Sequence, residues 1–154
     1  MDYIVNLYDL DLEDLSKVCS NPEVRIVRSL SPNSDQVVEF IKKHFNDNWA
    51  SEAKSALYKT NSTCFIAILN GEVIGFACYD ATCKGFFGPT GVNEKYRGQR
   101  IGKALLLHTL RAMKEEGYAY TIIGSAGDDA ITFYETNAKA VALNNVRSVY
   151  DRMI

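Results

Sequence analysis

Residues 92–104 read Val92-Asn93-Glu94-Lys95-Tyr96-Arg97-Gly98-Gln99-Arg100-Ile101-Gly102-Lys103-Ala104, a strand end, a basic glycine-containing turn and a helix start. A helix beginning near Gly98 to Arg100 leaves its first backbone N–H groups without intrahelical acceptors, and the macrodipole adds roughly half a positive charge there. A phosphate suits that position. Gly98 and Gly102 carry no Cβ, so backbone and phosphate can approach closely, while Arg97, Arg100 and Lys103 surround the same point with cations. The plainer alternative is a solvated basic helix N-terminus after a tight turn. Spacing sorts the phosphate ligands. A nucleotide P-loop needs four residues between its glycines and a Ser or Thr after the Lys. Here three residues separate Gly98 from Gly102, and Ala104 follows Lys103. The absence of any G-x-G-x-x-G leaves a dinucleotide fold without support.

Upstream, residues 63–69 and 72–79 are two apolar strand patterns joined by Asn70-Gly71, a dipeptide that tolerates φ > 0 at both positions and so predicts a tight hairpin. Their near-continuous apolar character predicts cover on both faces. Residues 84–92 form a third strand, interrupted by Gly88-Pro89-Thr90-Gly91, where a bulge or a splayed strand is expected. Downstream, a helix over about 99–116 presents Leu105, Leu106, Thr109, Leu110 and Met113 to the sheet and ends at Gly117. Residues 118–124 are then a strand parallel to the preceding one, because a helix crosses between them. Asp128 or Asp129 can cap a further short helix carrying Phe133 and Tyr134.

The N-terminal third carries pattern without motif. Residues 3–8 predict a strand, and Asp9 or Asp11 can cap a short helix carrying Leu12, Leu15 and Val18. Residues 21–33 give no clear state. Ser34 opens a helix with Val37, Val38, Phe40, Ile41 and Phe45 on one face, and a second helix follows over 49–59. His44 reads as a surface residue and His108 as core or boundary. At the other end, 138–143 and 146–150 read as closing strands.

Within this frame, the 92–104 stretch resembles the acyl-CoA pyrophosphate loop of the GCN5-related N-acetyltransferase (GNAT) superfamily. That pattern is Arg or Gln, two residues, Gly, one residue, Gly or Ala, with a strand ending in Val five positions before the Arg. Val92, Arg97 and Gly102 match it, and Arg100 replaces the first glycine. An Arg there can point outward while its N–H faces the phosphate, provided the position does not require φ > 0. A second segment, 127–137, resembles the family's Asn-x-x-Ala-x-x-Phe-Tyr helix: Ala130, Phe133 and Tyr134 match. Gly127 stands where Asn is usual, and Asn137 stands near the glycine that ends the helix, a substitution that left-handed geometry permits. The resemblance covers roughly residues 63–137.

The resemblance implies one GNAT-type domain over 1–154, an α+β three-layer fold with a mixed, mostly antiparallel sheet of about six or seven strands flanked by helices. It implies an N-acetyltransferase that moves an acetyl group from acetyl-CoA, its cosubstrate, to a primary amine by direct attack in a ternary complex, with no metal. Thr90, Val92, Arg97, Gly98, Gln99, Arg100, Ile101, Gly102, Lys103, Phe133 and Tyr134 are the implied CoA contacts. Tyr134 is also the implied general acid, since a phenol of pKa about 10 is protonated at neutral pH and can serve a thiolate of pKa about 8.5. Some branches of the family place a Glu on the strand before the loop, but Gly85, Phe86 and Phe87 stand there. Asp80 and Tyr79 are the nearest alternatives for a base, with a turn or cap role equally open for Asp80. Phe45, Trp49, Tyr58, Tyr79, Phe86 and Phe87 are candidates to touch the acceptor, or else pack helices onto the sheet. A CoA-binding sensor that acylates nothing is the competing reading.

Composition restricts the partners. A net charge of −2 and a pI near 5.7 supply no field for a polyanion, so the local cation cluster suits a small-molecule ligand better than nucleic acid. The sequence shows no apolar run of membrane-spanning length and no basic-then-apolar start, giving a cytoplasmic expectation with no membrane partner. Cys19, Cys64, Cys78 and Cys83 lack C-x-x-C spacing, which leaves no zinc set. A homodimer, the identity of the acceptor and the acyl chain length stay open.

Overall fold

The computed structural model describes residues 1–154. Its centre is the hairpin of β3 (Cys64–Leu69) and β4 (Glu72–Tyr79), closed by Asn70 and Gly71 at φ +52° and +77°, the mirror-image turn that the dipeptide predicts. Side chains alternate across β4. Phe76 and Cys78 face a core built with α1 (Ser34–His44) and α2 (Asp47–Leu57), while Ala77 and Tyr79 face a second core built largely by α3 (Ile101–Glu115). The expected cover on both faces is therefore present. Leu105, Leu106, Leu110 and Met113 of α3 are fully buried. Each contributes roughly 1.5–3 kcal/mol, which fixes the helix on the sheet.

With β1 (Tyr3–Asn6), β2 (Arg25–Arg28), β5 (Phe86–Val92), β6 (Tyr120–Ile123) and β7 (Val141–Ala142), the seven-stranded sheet has the order β2-β3-β4-β5-β6-β1-β7. It is a mixed, mostly antiparallel sheet between helices, as expected. The parallel pair is β5 with β6, and it is short: only Phe86–Ile122 and Phe87–Ile123 are in register. From Gly88 onward β5 leaves β6 and stays on β4 through Thr90, Gly91 and Val92. The register shift between Ala77 and Tyr79 and φ +115° at Gly88 mark the predicted bulge. The sheet opens on the far side of that bulge. Gly117, at φ +101°, ends α3, and α4 (Asp128–Ala138) then closes the opening.

Two expectations at the chain ends are corrected, and one open stretch gains a state. Residues 7–9 form a 3-10 turn and no helix follows. Asp11 and Asp14 accept from the N–H groups of Glu13 and Ser16 at 3.3 and 3.1 Å, local turns that compete with helix, although Leu12 and Leu15 still reach the core. Residues 21–33 include the edge strand β2. Residues 146–150 form no strand: a 3-10 turn runs from Val149 to Arg152, started by the Ser148 hydroxyl accepting from Tyr150 N–H. The place beside β6 is taken instead by the N-terminal strand β1, antiparallel to both β6 and β7. No helix is long and apolar enough to cross a membrane.

Candidate active site

Two cavities open where β5 leaves β6. The larger, about 890 Å³, lies between the end of β5, the start of α3 and one face of α4. Ala104 N–H donates to Arg100 O at 3.0 Å, so the N–H groups of Ile101, Gly102 and Lys103 lie ahead of the first helical bond. Arg97, Gly98, Arg100 and Lys103 line the same wall, and Thr90 and Val92 line it from β5. Three cations against the single carboxylate of Asp129 make this a site for an anion. Gly91 lets β5 pass under an aromatic cluster, since a Cβ there would fall 2.4 Å from Cζ of Phe45.

All but one of the CoA contacts expected from the sequence come together on this cavity. Gln99 does not: its Oε1 accepts from Asn21 Nδ2 at 3.1 Å and its carbonyl accepts from Ser20, tying the turn to the N-terminal loop. The benign geometry expected for Arg100 is corrected as well, because it sits in the left-handed region at φ +60°, ψ 25°. Asn137 stays helical, with Nδ2 donating to Phe133 O at 2.9 Å, and Lys139 at φ +53° is the left-handed cap.

The second cavity, about 690 Å³, lies beyond Tyr134, between α2, the Gly88-Pro89 bend, the end of β6 and the C-terminal turn. Trp49, Thr90, Asp129, Ala130 and Tyr134 line both cavities. Tyr134 is 7% exposed, and burial pushes its phenol up to about 12. Phe133 and Phe87 hold its ring edge-on, while its hydroxyl takes no hydrogen bond from the chain and is not sealed in. The phenol is a protonated donor on a residue that lines both cavities.

Of the acceptor-side residues, Phe45 lines the cationic cavity, Trp49 both, and Phe87 the second. Phe86 points to the opposite side of the sheet, beside Asp2 and Ile122. Tyr79 is fully buried with its hydroxyl on Arg28 Nη1 at 2.9 Å, and exposed Tyr58 donates to Asp35. Asp80 lines neither cavity. Its Oδ1 accepts from Gly85 N–H and its Oδ2 from Tyr118 Oη, both at 2.7 Å, so it takes the turn role and has no free oxygen for a base. His108 also stays outside: burial, then Arg111, lowers it to about 4.

Sequence reasoning missed Glu52, which lines the second cavity. The signal was available. Asn46 caps α2 by accepting from Trp49 N–H at 2.8 Å, and a residue three positions after Trp49 shares its face.

The acetyltransferase (GNAT) family model matches residues 29–138. The chain belongs to this family. Solved structures agree at the level of the GNAT fold. A GCN5-related glucosamine N-acetyltransferase region of a fungal multi-domain β-N-acetylglucosaminidase superposes with a TM-score of 0.71 at 16% identity, over 89% of this chain and 19% of that one. A GCN5-related N-acetyltransferase from Sphaerobacter thermophilus gives 0.68 at 17% identity, over 96% and 48%. A GNAT acetyltransferase from Brucella melitensis, solved with acetyl-CoA, gives 0.56 at 18% identity, over 71% and 80%. This chain thus spans a fifth to a half of the first two relatives' length. No curated protein matches it significantly.

Proposed function

We propose that this GNAT chain transfers an acetyl group from acetyl-CoA to the primary amine of a small acceptor, with Tyr134 as the general acid. The observation that carries the reading is the position of Tyr134, a buried and protonated phenol on a residue shared by a cationic and an acidic cavity.

In this reading the CoA diphosphate sits on the N–H groups of Ile101 to Lys103, with Arg97, Arg100 and Lys103 around it. The pantetheine arm runs along the free edge of β5, its amides pairing with backbone groups around Thr90 and Val92 as an added strand does, with Phe133 against it. Val92 N–H meets the developing oxyanion. The thioester is already activated. The chain therefore supplies proximity, a neutral amine, the oxyanion donor and the proton for the departing thiolate.

The test is thiol release from acetyl-CoA with a panel of amines, for wild type and Tyr134→Phe. Turnover by wild type and its collapse in the variant are expected. Acetyl-CoA binding without turnover of any amine would instead assign the chain to CoA sensing.

A further inference from the structure

The second cavity holds a carboxylate with no cationic partner. Glu52 is half-buried on α2, and its Oε2 accepts from Thr82 Oγ1 at 2.7 Å and from Tyr150 Oη at 2.9 Å. The two hydroxyls also lie 2.9 Å from each other, so the three groups form one cluster on Oε2, and Oε1 takes no hydrogen bond from the chain. The fold has a single ion pair, Arg147 with Asp151 on the surface. Glu52 also borders a separate hollow with Thr82, Tyr150 and Arg152, but Arg152 makes no ion pair with it and does not line this cavity. A half-buried carboxylate with one oxygen free of hydrogen bonds can pair with a cation that arrives with the ligand.

The rest of the lining sets the ligand's chemistry. The charged residues on it are Glu52 and Asp129, with no Lys, Arg or His, whereas the neighbouring cavity carries three cations. A ligand bearing a carboxylate or phosphate would find nothing to neutralise it. Trp49, Phe87, Pro89, Ile123 and Met153 supply an apolar wall. Tyr150 is fixed against the end of β6, where a Cβ on Gly124 would lie 2.7 Å from its Cε2, so the hydroxyl that holds Glu52 is itself anchored.

We propose that Glu52, held by Thr82 and Tyr150, is the seat of the acceptor's ammonium group and takes its proton, and that the acceptor is a small amine with an apolar body and no anionic group. This rests on the transfer reading above. The ammonium gives one proton to Glu52, and the freed lone pair forms the C–N bond at the thioester carbonyl. The C–S bond then breaks. Tyr134 gives its proton to the leaving sulfur and recovers one from the new amide nitrogen, while Glu52 releases its proton to water, the single proton of the net reaction.

The experiment uses two matched pairs, phenethylamine against phenylalanine and hexylamine against 6-aminohexanoate. Each is titrated calorimetrically into protein saturated with CoA, and each is assayed with acetyl-CoA. Wild type is expected to bind both simple amines at least tenfold more tightly than their carboxylated partners. Glu52→Gln, which keeps the size and the two hydroxyl contacts' geometry, should weaken amine binding and raise KM at least tenfold, with CoA affinity and Tm unchanged. Tyr150→Phe, removing one hydroxyl, should give a smaller rise in KM in the same direction. Equal amine binding by wild type and Glu52→Gln, no amine binding by wild type, or no preference within the pairs overturns the proposal. The titrations need no turnover: amine binding that depends on Glu52, without thiol release, sinks the transfer reading and keeps the cation seat.

Discussion

The rings of Tyr134 and Phe87 meet edge to face, with centroids 6.1 Å apart and planes at 76°, at the last residue of β5 still paired to β6. One side of the contact belongs to the short parallel pairing and the other to α4, so the phenol is held at the point where the sheet parts. Removing only its oxygen leaves that packing intact. Tyr134→Phe is therefore expected to lower kcat about a hundredfold, the scale of a lost general acid, with acetyl-CoA affinity within twofold of wild type. Steady-state kinetics and calorimetry check this together, and an unaltered kcat removes Tyr134 from the role.

The pH profile tests the same proton separately. Burial holds the Tyr134 phenol at about 12, so it stays loaded far above neutrality. An alkylammonium of pKa about 10.4 behaves oppositely, being only about 0.04% neutral at pH 7. At saturating alkylamine, where kcat reports the ternary complex rather than the free amine, kcat should show no falling limb below about pH 11. A fall centred near 10 would identify an acid other than a buried phenol. The window is bounded by the fold itself. Tyr79, Tyr118 and Tyr150 are likewise raised to about 12, burial being the first cause in each. Unfolded tyrosines ionise near 10, so the native state then binds more protons than the unfolded state, and stability is lost as pH climbs from about 10 towards 12. Circular dichroism across that range marks where kinetics can be read.

Gly102 separates ligand from fold. A Cβ built there lies 3.7 Å from Val92 Cγ2 and 3.8 Å from Phe133 Cζ, ordinary contact distances. Gly102→Ala should therefore leave the free protein intact and stabilise α3 by about 0.5 kcal/mol through reduced backbone entropy. The same methyl faces the cavity where the diphosphate is placed. CoA affinity should fall at least tenfold while Tm holds or rises. A variant that binds CoA as wild type does would move the diphosphate away from this helix start.

The sequence made the middle of the chain legible because each signal there is local. Asn70-Gly71 sets a hairpin by its own dihedrals, and the glycine and proline at 88–91 announce a strand that cannot stay paired. The ends were not legible. Nothing within residues 3–8 says that they will pair with residues 120–123, since both partners of that contact are generic β-formers separated by most of the chain. The same limit hid Glu52, whose meaning comes from Thr82 and Tyr150, residues 30 and 98 positions away. Asp80, for which the sequence leaves both a base and a turn role open, shows the converse. It lies at a strand end near the site in sequence, yet φ +52° and two short hydrogen bonds commit it to the turn.

Arg100 carries a backbone cost at the edge of the cationic cavity. Its left-handed backbone at φ +60° is unfavourable for a residue with a Cβ by roughly 1–2 kcal/mol, and its side chain makes no capping bond. Gly adopts the same angles freely, though it loses about 0.5–1 kcal/mol more entropy on folding. Arg100→Gly is thus expected to raise stability by about 0.5–1 kcal/mol, read as Tm. If the guanidinium grips the diphosphate, the variant must also bind CoA more weakly and lose part of its salt dependence, because one fewer cation faces the anion. Arg100→Asn separates the two effects: Asn tolerates the left-handed region but carries no charge. It should match the glycine variant in CoA affinity while gaining less stability. Calorimetry at two salt concentrations reads the affinity. If both variants bind CoA like wild type, the strain at residue 100 serves no anion, and the cationic cavity is held by Arg97 and Lys103 alone.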